Sequence, residues 1–442
     1  MRHAGGYIRN KENPMKLVVA ATPSAAHVAP MAMIAEDLAA RGHDVTLVSG
    51  TAVLPSSNAV RTAAFDADAD FDLDEVTRAE RARPDAPPPG PELLNRDLQW
   101  GFIDPVPDQH RTLQRLLTDA GGEPVTILME NGFNGAWPML LGAPGPRADR
   151  VIGIGISPLT LLSADTAPFG LGLPPDASTE GRTRNAKLND QVRLMLAPAQ
   201  ERLDQVLDSL GANPAPFLFD GGVTLPDIFL ALTIPSVEYP RSDAPASVRY
   251  IGPLPLATHD EGPLPQWWAE IDQARADDRQ IVGVTQGTVN NGDLEMLVSP
   301  TLRALADRPD IFVVAATGRP DHGLTDPPNG RVGGYLPFSA LLPRLDVLVT
   351  NGGYGGSLAA LRHAVPLVLA GDTEDKIETT ARLAWSGAGI NLATGRPDEA
   401  ALRSAIDTIL QDPDYRSRAR QISTESAGYD PLQSIADSLD HS

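Results

Sequence analysis

The stretch from Asp346 to Leu361 constrains the fold more than any other. An apolar run, Asp346 to Thr350, ends in Asn351-Gly352-Gly353-Tyr354-Gly355-Gly356, and apolar residues then recur at helical spacing from Leu358 and Leu361. That order predicts a strand, a glycine turn and a helix. Glycines let the backbone come close to a ligand, and a new helix presents unpaired N–H groups and the positive end of its dipole. Such a turn suits an anion, a phosphate being the usual one in an α/β protein. A glycine turn at a strand-to-helix junction is also plain chain geometry, and the turn alone leaves both readings open.

The surroundings repeat the pattern. Val365 to Leu369 predicts a second buried strand, with the polar Asp372-Thr373-Glu374-Asp375-Lys376 opening another helix at its carboxyl end. Ile281 to Thr285 and Ile311 to Ala316 predict further strands, separated by a helix over 294–306. The beginning of the chain carries a series of its own. Lys16 to Ala21 and Asp44 to Ser49 predict strands flanking a helix whose apolar stripe includes Met33, Ile34 and Leu38, with Pro30 expected in its first turn. Val125 to Met129 and Val151 to Ile156 extend this first series. In open α/β sheets ligands bind outside the carboxyl ends of the strands, and His27 falls where the first strand hands over to the first helix.

A chain of 442 residues is long for one core, and the prolines between Pro235 and Pro265 mark a composition shift read as a linker. The expected division is a disordered extension over 1–14, a first Rossmann-like domain over 15–235, a linker over 236–265, a second Rossmann-like domain over 266–425 and a final helical segment over 426–442. A formal charge of −21 argues against nucleic-acid or anionic-membrane binding. With no cysteine, disulfides, thiolate metal sites and cysteine nucleophiles are excluded. No apolar run is long enough for a membrane helix and the start lacks a secretory signal, so a cytoplasmic location is expected. The carboxylate-dense Asp66–Glu75 reads as a solvated loop, lacking the glycine and glutamate spacing of a calcium loop.

The 346–391 segment resembles the donor-binding signature of the inverting GT-B glycosyltransferases, the group holding the macrolide and glycopeptide antibiotic transferases and the plant UDP-sugar transferases. That signature runs His-Gly-Gly-x-Gly-Ser/Thr, then Gly-Val-Pro, then Asp-Gln. Here Asn351 stands for the histidine, Gly356 for Ser/Thr, Ala364-Val365-Pro366 for Gly-Val-Pro, and Asp375-Lys376 for Asp-Gln. The spacing is intact, while three of the chemical residues differ. Gln286-Gly287-Thr288 matches the family's diphosphate-contacting turn, and Tyr335-Leu336-Pro337-Phe338 occupies its Trp-x-Pro-Gln position.

The resemblance implies an α/β GT-B fold, two Rossmann-like β/α/β domains facing across a cleft, with the final helices crossing back onto the first domain. It implies His27 as the base that deprotonates an acceptor hydroxyl, although a lone loop histidine is more often solvated. Glu130 is the first choice for the carboxylate that orients it, with Asn131 as the alternative register. On the donor side it implies Thr288, Asn351, Gly353, Gly355 and Gly356 at the diphosphate, Tyr335 stacking on the base, the main chain of Leu336 reading its edge, and Asp375 and Lys376 facing the sugar. No cofactor or metal is implied beyond the nucleotide-sugar co-substrate. Ala359 stands where ribonucleotide-using relatives have a ribose-binding glutamate, which favours a dTDP-deoxysugar, with UDP-glucose the competing choice. The partners implied are this donor and a lipophilic small-molecule acceptor such as a polyketide or macrolide, with homodimerisation left open. A catalytically silent homologue acting as a partner protein and a GT-B sugar-nucleotide epimerase are the alternatives.

Overall fold

A computed structural model describes residues 14–88, 90–256, 264–287, 291–373 and 375–439. Seven parallel strands form the first sheet: β1 (Lys16–Ala20), β2 (Asp44–Ser49), β3 (Arg61–Ala64), β4 (Val125–Glu130), β5 (Arg150–Gly155), β6 (Ile228–Ala231) and β7 (Val248–Tyr250). Six parallel strands form the second: β8 (Gln280–Thr285), β9 (Ile311–Ala316), β10 (Gly330–Gly333), β11 (Val347–Thr350), β12 (Leu367–Leu369) and β13 (Gly389–Asn391). The central strands are apolar almost throughout because helices cover both faces of each sheet. This is the GT-B architecture expected from the sequence.

Strand order places the functional residues. The first sheet runs β3-β2-β1-β4-β5-β6-β7, and the second β10-β9-β8-β11-β12-β13. In each, the chain winds outward from a central strand on one side, then returns to the other. The reversal falls between β1 and β4 in the first sheet and between β8 and β11 in the second. At such a switch point the two connections leave in opposite directions and open a crevice at the strand ends.

Three features differ from expectation. The proposed linker over 236–265 is partly sheet: Val248–Tyr250 pairs in parallel with Phe229–Ala231 as the edge strand β7. Three short pairings at a sheet edge tolerate the surrounding prolines, which a central strand would not. The 66–75 stretch is folded, with a short 3₁₀ turn at Ala67–Ala69 and a helix over Leu73–Arg81. Asp72 caps that helix by accepting from the amides of Asp74 and Glu75, so a carboxylate run read as solvated is a helix start. Pro30 lies in the second turn of the Ala25–Ala40 helix, which begins earlier than its proline suggested.

The chain's final helix, Pro431–Asp437, packs on the first sheet. Ile435, Ala436 and Leu439 are buried with Leu17, Val19 and Ile34, and burying a side chain the size of Ile435 or Leu439 contributes roughly 1.5–3 kcal/mol. The proposed extension, residues 1–14, lies outside the described residues except for Pro14. No helix among the described residues is long and apolar enough to cross a membrane.

Candidate active site

β1 leads through Thr22-Pro23-Ser24 into the Ala25–Ala40 helix, with Ser24 in extended conformation at its start. His27 therefore sits on the first helical turn rather than in a loop, its amide donating to the Ser24 carbonyl at 3.1 Å. β4 lies beside β1, Ala20 opposite Met129, so Glu130 emerges directly next to Thr22. Oε1 of Glu130 accepts from the Thr22 amide at 3.0 Å and from Thr22 Oγ1 at 2.6 Å, while Oε2 accepts from the Gly132 amide. Nδ1 of His27 approaches the same Oε1 to 3.1 Å.

Electrostatics decide the charge states. Burial would raise the Glu130 pKa, but the neighbouring His27 and the donors of Thr22 and Gly132 more than offset this and hold it below the ordinary carboxylate value. For His27, burial opposes the positive form, and a helix N-terminus opposes it as well. The Glu130 carboxylate outweighs burial, with smaller help from Asp375 and Asp74, and the imidazole pKa rises above its usual 6.5. The His27 side chain keeps about a quarter of its surface exposed, whereas Glu130 has none.

Asn131 is engaged elsewhere. Its Nδ2 donates to Ser157 Oγ at 2.9 Å and its Oδ1 accepts from the Ile156 amide at 3.0 Å, tying the β4 exit to the β5 exit. Of the two residues considered beside His27, only Glu130 reaches it. Gly132 is held small by the same cluster: a Cβ there would sit 3.2 Å from Glu130 Oε2 and 3.3 Å from His27 Cε1.

In the second sheet the strand exits are stitched into a continuous row. A Cβ on Gly318, after β9, would collide with the carbonyl of Gly287, after β8. Asn351 Nδ2 donates to the Gln286 carbonyl at 2.7 Å, joining the exits of β11 and β8, and Gly371, after β12, closes on the Asn351 carbonyl. Asn351, matched to the family's histidine, thus commits its amide nitrogen to holding the switch point together. Gly353 starts the Tyr354–Arg362 helix. Gly355 and Gly356 lie exposed in its first turn, and a Cβ on either would meet only open space. Tyr354, between the glycines, points the other way and is buried in the core with Ile234 and Val237 of the first domain.

Tyr335 follows β10 and is 68% exposed, leaving its ring open to a flat partner, while Leu336 is buried beneath it. Asp375 precedes the Lys376–Trp385 helix. Lys376 is buried, lining a crevice with Gln286, Asn351, Gly371 and Asp372. Thr288 lies outside the described residues. Ala359 is packed in an apolar cluster with Leu336 and Leu358. A small apolar residue is what that packing requires, so its lack of a carboxylate carries little information about a ribose.

The imidazole of His27 feels the Asp375 carboxylate of the second domain. The structure thus brings His27, Glu130 and Asp375 together, while Tyr335 lies farther along the row, at the exit of β10. Thr22 and Asp74 were not anticipated. Asp74 accepts from Ser24 Oγ at 2.9 Å at the base of the His27 turn. A hydroxyl residue directly after the first strand was the available signal for Thr22. Asp74 lies too far along the chain for spacing to reveal it.

Two parallel-sheet domains, each with its switch point turned to a shared cleft, define a GT-B glycosyltransferase. Residues 301–440 match the family described as erythromycin biosynthesis protein CIII-like, C-terminal domain. The chain is 41% identical to UDP-glycosyltransferase 2 of Phaeomoniella chlamydospora over 437 residues, covering 96% of this chain and 95% of that protein. It is 37% identical to 4'-demethylrebeccamycin synthase of Lentzea aerocolonigenes, covering 96% of this chain and 99% of that one. Among solved structures, the glycosyltransferase of kitacinnamycin superposes with a TM-score of 0.70 at 20% identity, covering 97% of this chain and 99% of that chain. A spinosyn rhamnosyltransferase complexed with thymidine diphosphate gives 0.68 at 20% identity, covering 97% and 100%. The chain belongs to the GT-B glycosyltransferases of the macrolide and antibiotic type, and it is a glycosyltransferase.

Proposed function

We propose that this enzyme is an inverting O-glycosyltransferase that moves a hexose from UDP to a hydroxyl of a lipophilic natural product. The observation that carries the reading is the Thr22–Glu130–His27 cluster at the first switch point, facing Asp375 across the cleft. Nδ1 of His27 is turned to Glu130, which leaves Nε2 as the nitrogen available to a substrate. The acceptor oxygen attacks the anomeric carbon as its proton passes to Nε2. The bond from that carbon to the diphosphate breaks with its electron pair leaving on UDP, and a single displacement inverts the configuration.

Glu130 stabilises the imidazolium that forms, in the manner of other base-and-orienter pairs. The open first turn at Gly355 and Gly356 receives the developing diphosphate charge through backbone dipoles, which lets the reaction proceed without a divalent cation. Tyr335 stacks on the base, the main chain of Leu336 reads its edge, and Asp375 accepts from sugar hydroxyls. Lys376 is near enough to the crevice floor to meet either the sugar or a diphosphate oxygen. UDP is preferred over dTDP on two supports. The relatives at 41% and 35% identity carry UDP in their names, and Ala359, the residue that favoured a deoxyribose, is a core position. A natural-product acceptor is supported by the relative named 4'-demethylrebeccamycin synthase.

His27→Ala is expected to lower transfer by roughly 10²- to 10⁴-fold while UDP still binds by calorimetry; an unchanged rate would remove the assignment. Turnover with UDP-glucose against dTDP-glucose, with and without EDTA, tests the donor and the metal independence.

A further inference from the structure

A loop runs from the base to the donor side, and it is held at both ends by one helix. It leaves β5 at Ile156 and Ser157, both bonded to Asn131, the residue after Glu130. At its far side the amides of Gly170 and Gly172 both donate to Oε1 of Glu378, at 3.0 and 2.7 Å. Gly172 has φ +61, and a Cβ there would lie 3.0 Å from Ile377 Cγ2, so this close approach needs glycine. Beside the clamp, Leu171 and Leu173 stand 46% and 36% exposed.

The other carboxylate oxygen of Glu378 accepts from Arg382 at 3.3 Å. Arg382 pairs with Glu238 and donates to the Leu159 carbonyl at 2.9 Å, at the root of the same loop. Glu238 in turn accepts from the Leu159 amide at 3.0 Å and pairs with Arg241. All four charged side chains are no more than 3% exposed. Burying charges carries a desolvation cost that apolar packing would avoid, so such a network is weak evidence for stability alone. The Arg382–Glu238 pair already joins the domains at the loop root. The Glu378 clamp does something else: it fixes the tip, where the exposed leucines are, to the helix that begins at Lys376.

We propose that Glu378 is a positioning residue for the acceptor, holding the Phe169–Leu173 loop as the apolar wall against which the acceptor lies. The inference rests on the functional reading above. Asp375, three residues earlier at the cap of the same helix, is the proposed donor-sugar contact, so one turn sets both the sugar and the wall that aligns the acceptor hydroxyl with it. Glu378 itself touches neither reactant.

The full-length enzyme is assayed with UDP-glucose and two phenolic probes, 4-methylumbelliferone and quercetin. Glu378→Ala is expected to raise the acceptor KM about tenfold, the scale of one lost charge-assisted bond. Acceptor-free hydrolysis of UDP-glucose and UDP affinity stay within about twofold, since the donor contacts are intact. Glu378→Gln keeps an oxygen facing both glycine amides and should restore most of the acceptor KM. Gly172→Ala should reproduce the Glu378→Ala defect without altering charge. An unchanged acceptor KM in Glu378→Ala, or donor hydrolysis falling in parallel with transfer in both Glu378→Ala and Gly172→Ala, would overturn the proposal. Failure of the unmutated enzyme to bind UDP would instead overturn the functional reading beneath it.

Discussion

Replacing Glu130 by Gln preserves shape and removes one charge, which makes it the sharpest probe of the His27 site. Two charges 3.1 Å apart interact with about 5 kcal/mol at an effective dielectric of about 20. Burial of the imidazolium opposes that gain, and the weaker fields of Asp375 and Asp74 persist in the variant. A net loss of about 3 kcal/mol of transition-state stabilisation follows, roughly 10²-fold in kcat/KM.

The pH profile separates this from a packing defect. With His27 as the proposed base, neutral imidazole is the reactive form, and its pKa is raised above 6.5, so native activity should fall as the pH drops through a value above 6.5. Without Glu130 the burial that lowers the pKa meets less opposition, and the acid limb should move to lower pH as the plateau drops. The assay is kcat/KM for UDP-glucose transfer across pH 5 to 9, with UDP affinity by calorimetry as the control for folding. A plateau within about threefold of wild type, or a lowered plateau with an unmoved acid limb, would refute the argument that Glu130 acts through the imidazole charge.

Two further substitutions probe the neighbours. Gly132→Ala places a methyl 3.2 Å from Glu130 Oε2 and 3.3 Å from His27 Cε1; it should lower kcat about tenfold by displacing the ring, with UDP affinity unchanged in calorimetry. Gly355→Asp enters open space on an exposed first turn, so thermal denaturation should show a fold no less stable, a carboxylate there favouring the helix dipole by about 0.3–1 kcal/mol. The same charge should weaken UDP binding at least tenfold, or about 1.4 kcal/mol, and unchanged affinity would exclude that turn as the diphosphate cradle.

The parts of the fold that periodicity controls were legible. Strands such as Asp44–Ser49 and Ile311–Ala316 are buried almost throughout because both faces are covered, and a short, largely apolar run between turns announces them. β3, β7, β10 and β13 gave no such signal. Each has three or four residues, and β3 carries Arg61 and Thr62 exposed on an edge. Short strands owe their pairing to neighbours already in place, which local pattern does not record. The site divided along the same line. His27 and Glu130 were visible because each lies near the carboxyl end of a strand, where the family resemblance puts a base and its carboxylate. The commitments of Asn351 to Gln286 and of Asn131 to Ser157 depend on which exits become adjacent, and so does the use of Asp74, 47 positions from His27 along the chain.

Sheet order also explains why the proposed base and the proposed anion cradle come from unrelated stretches of one chain. Each domain turns only one gap between strands into a crevice, the gap where winding reverses. In the first, that gap separates β1 from β4, and Thr22, His27 and Glu130 come from its two rims. In the second it separates β8 from β11, bridged by the Asn351–Gln286 bond, with the glycine turn on one rim. A final helix anchored on the first sheet through Ile435 and Leu439, and the buried Arg382–Glu238 pair, hold the two crevices face to face. Chemistry needing a proton acceptor opposite a phosphate site is therefore met by topology before any side chain is chosen. The side chains then decide only which reaction runs there.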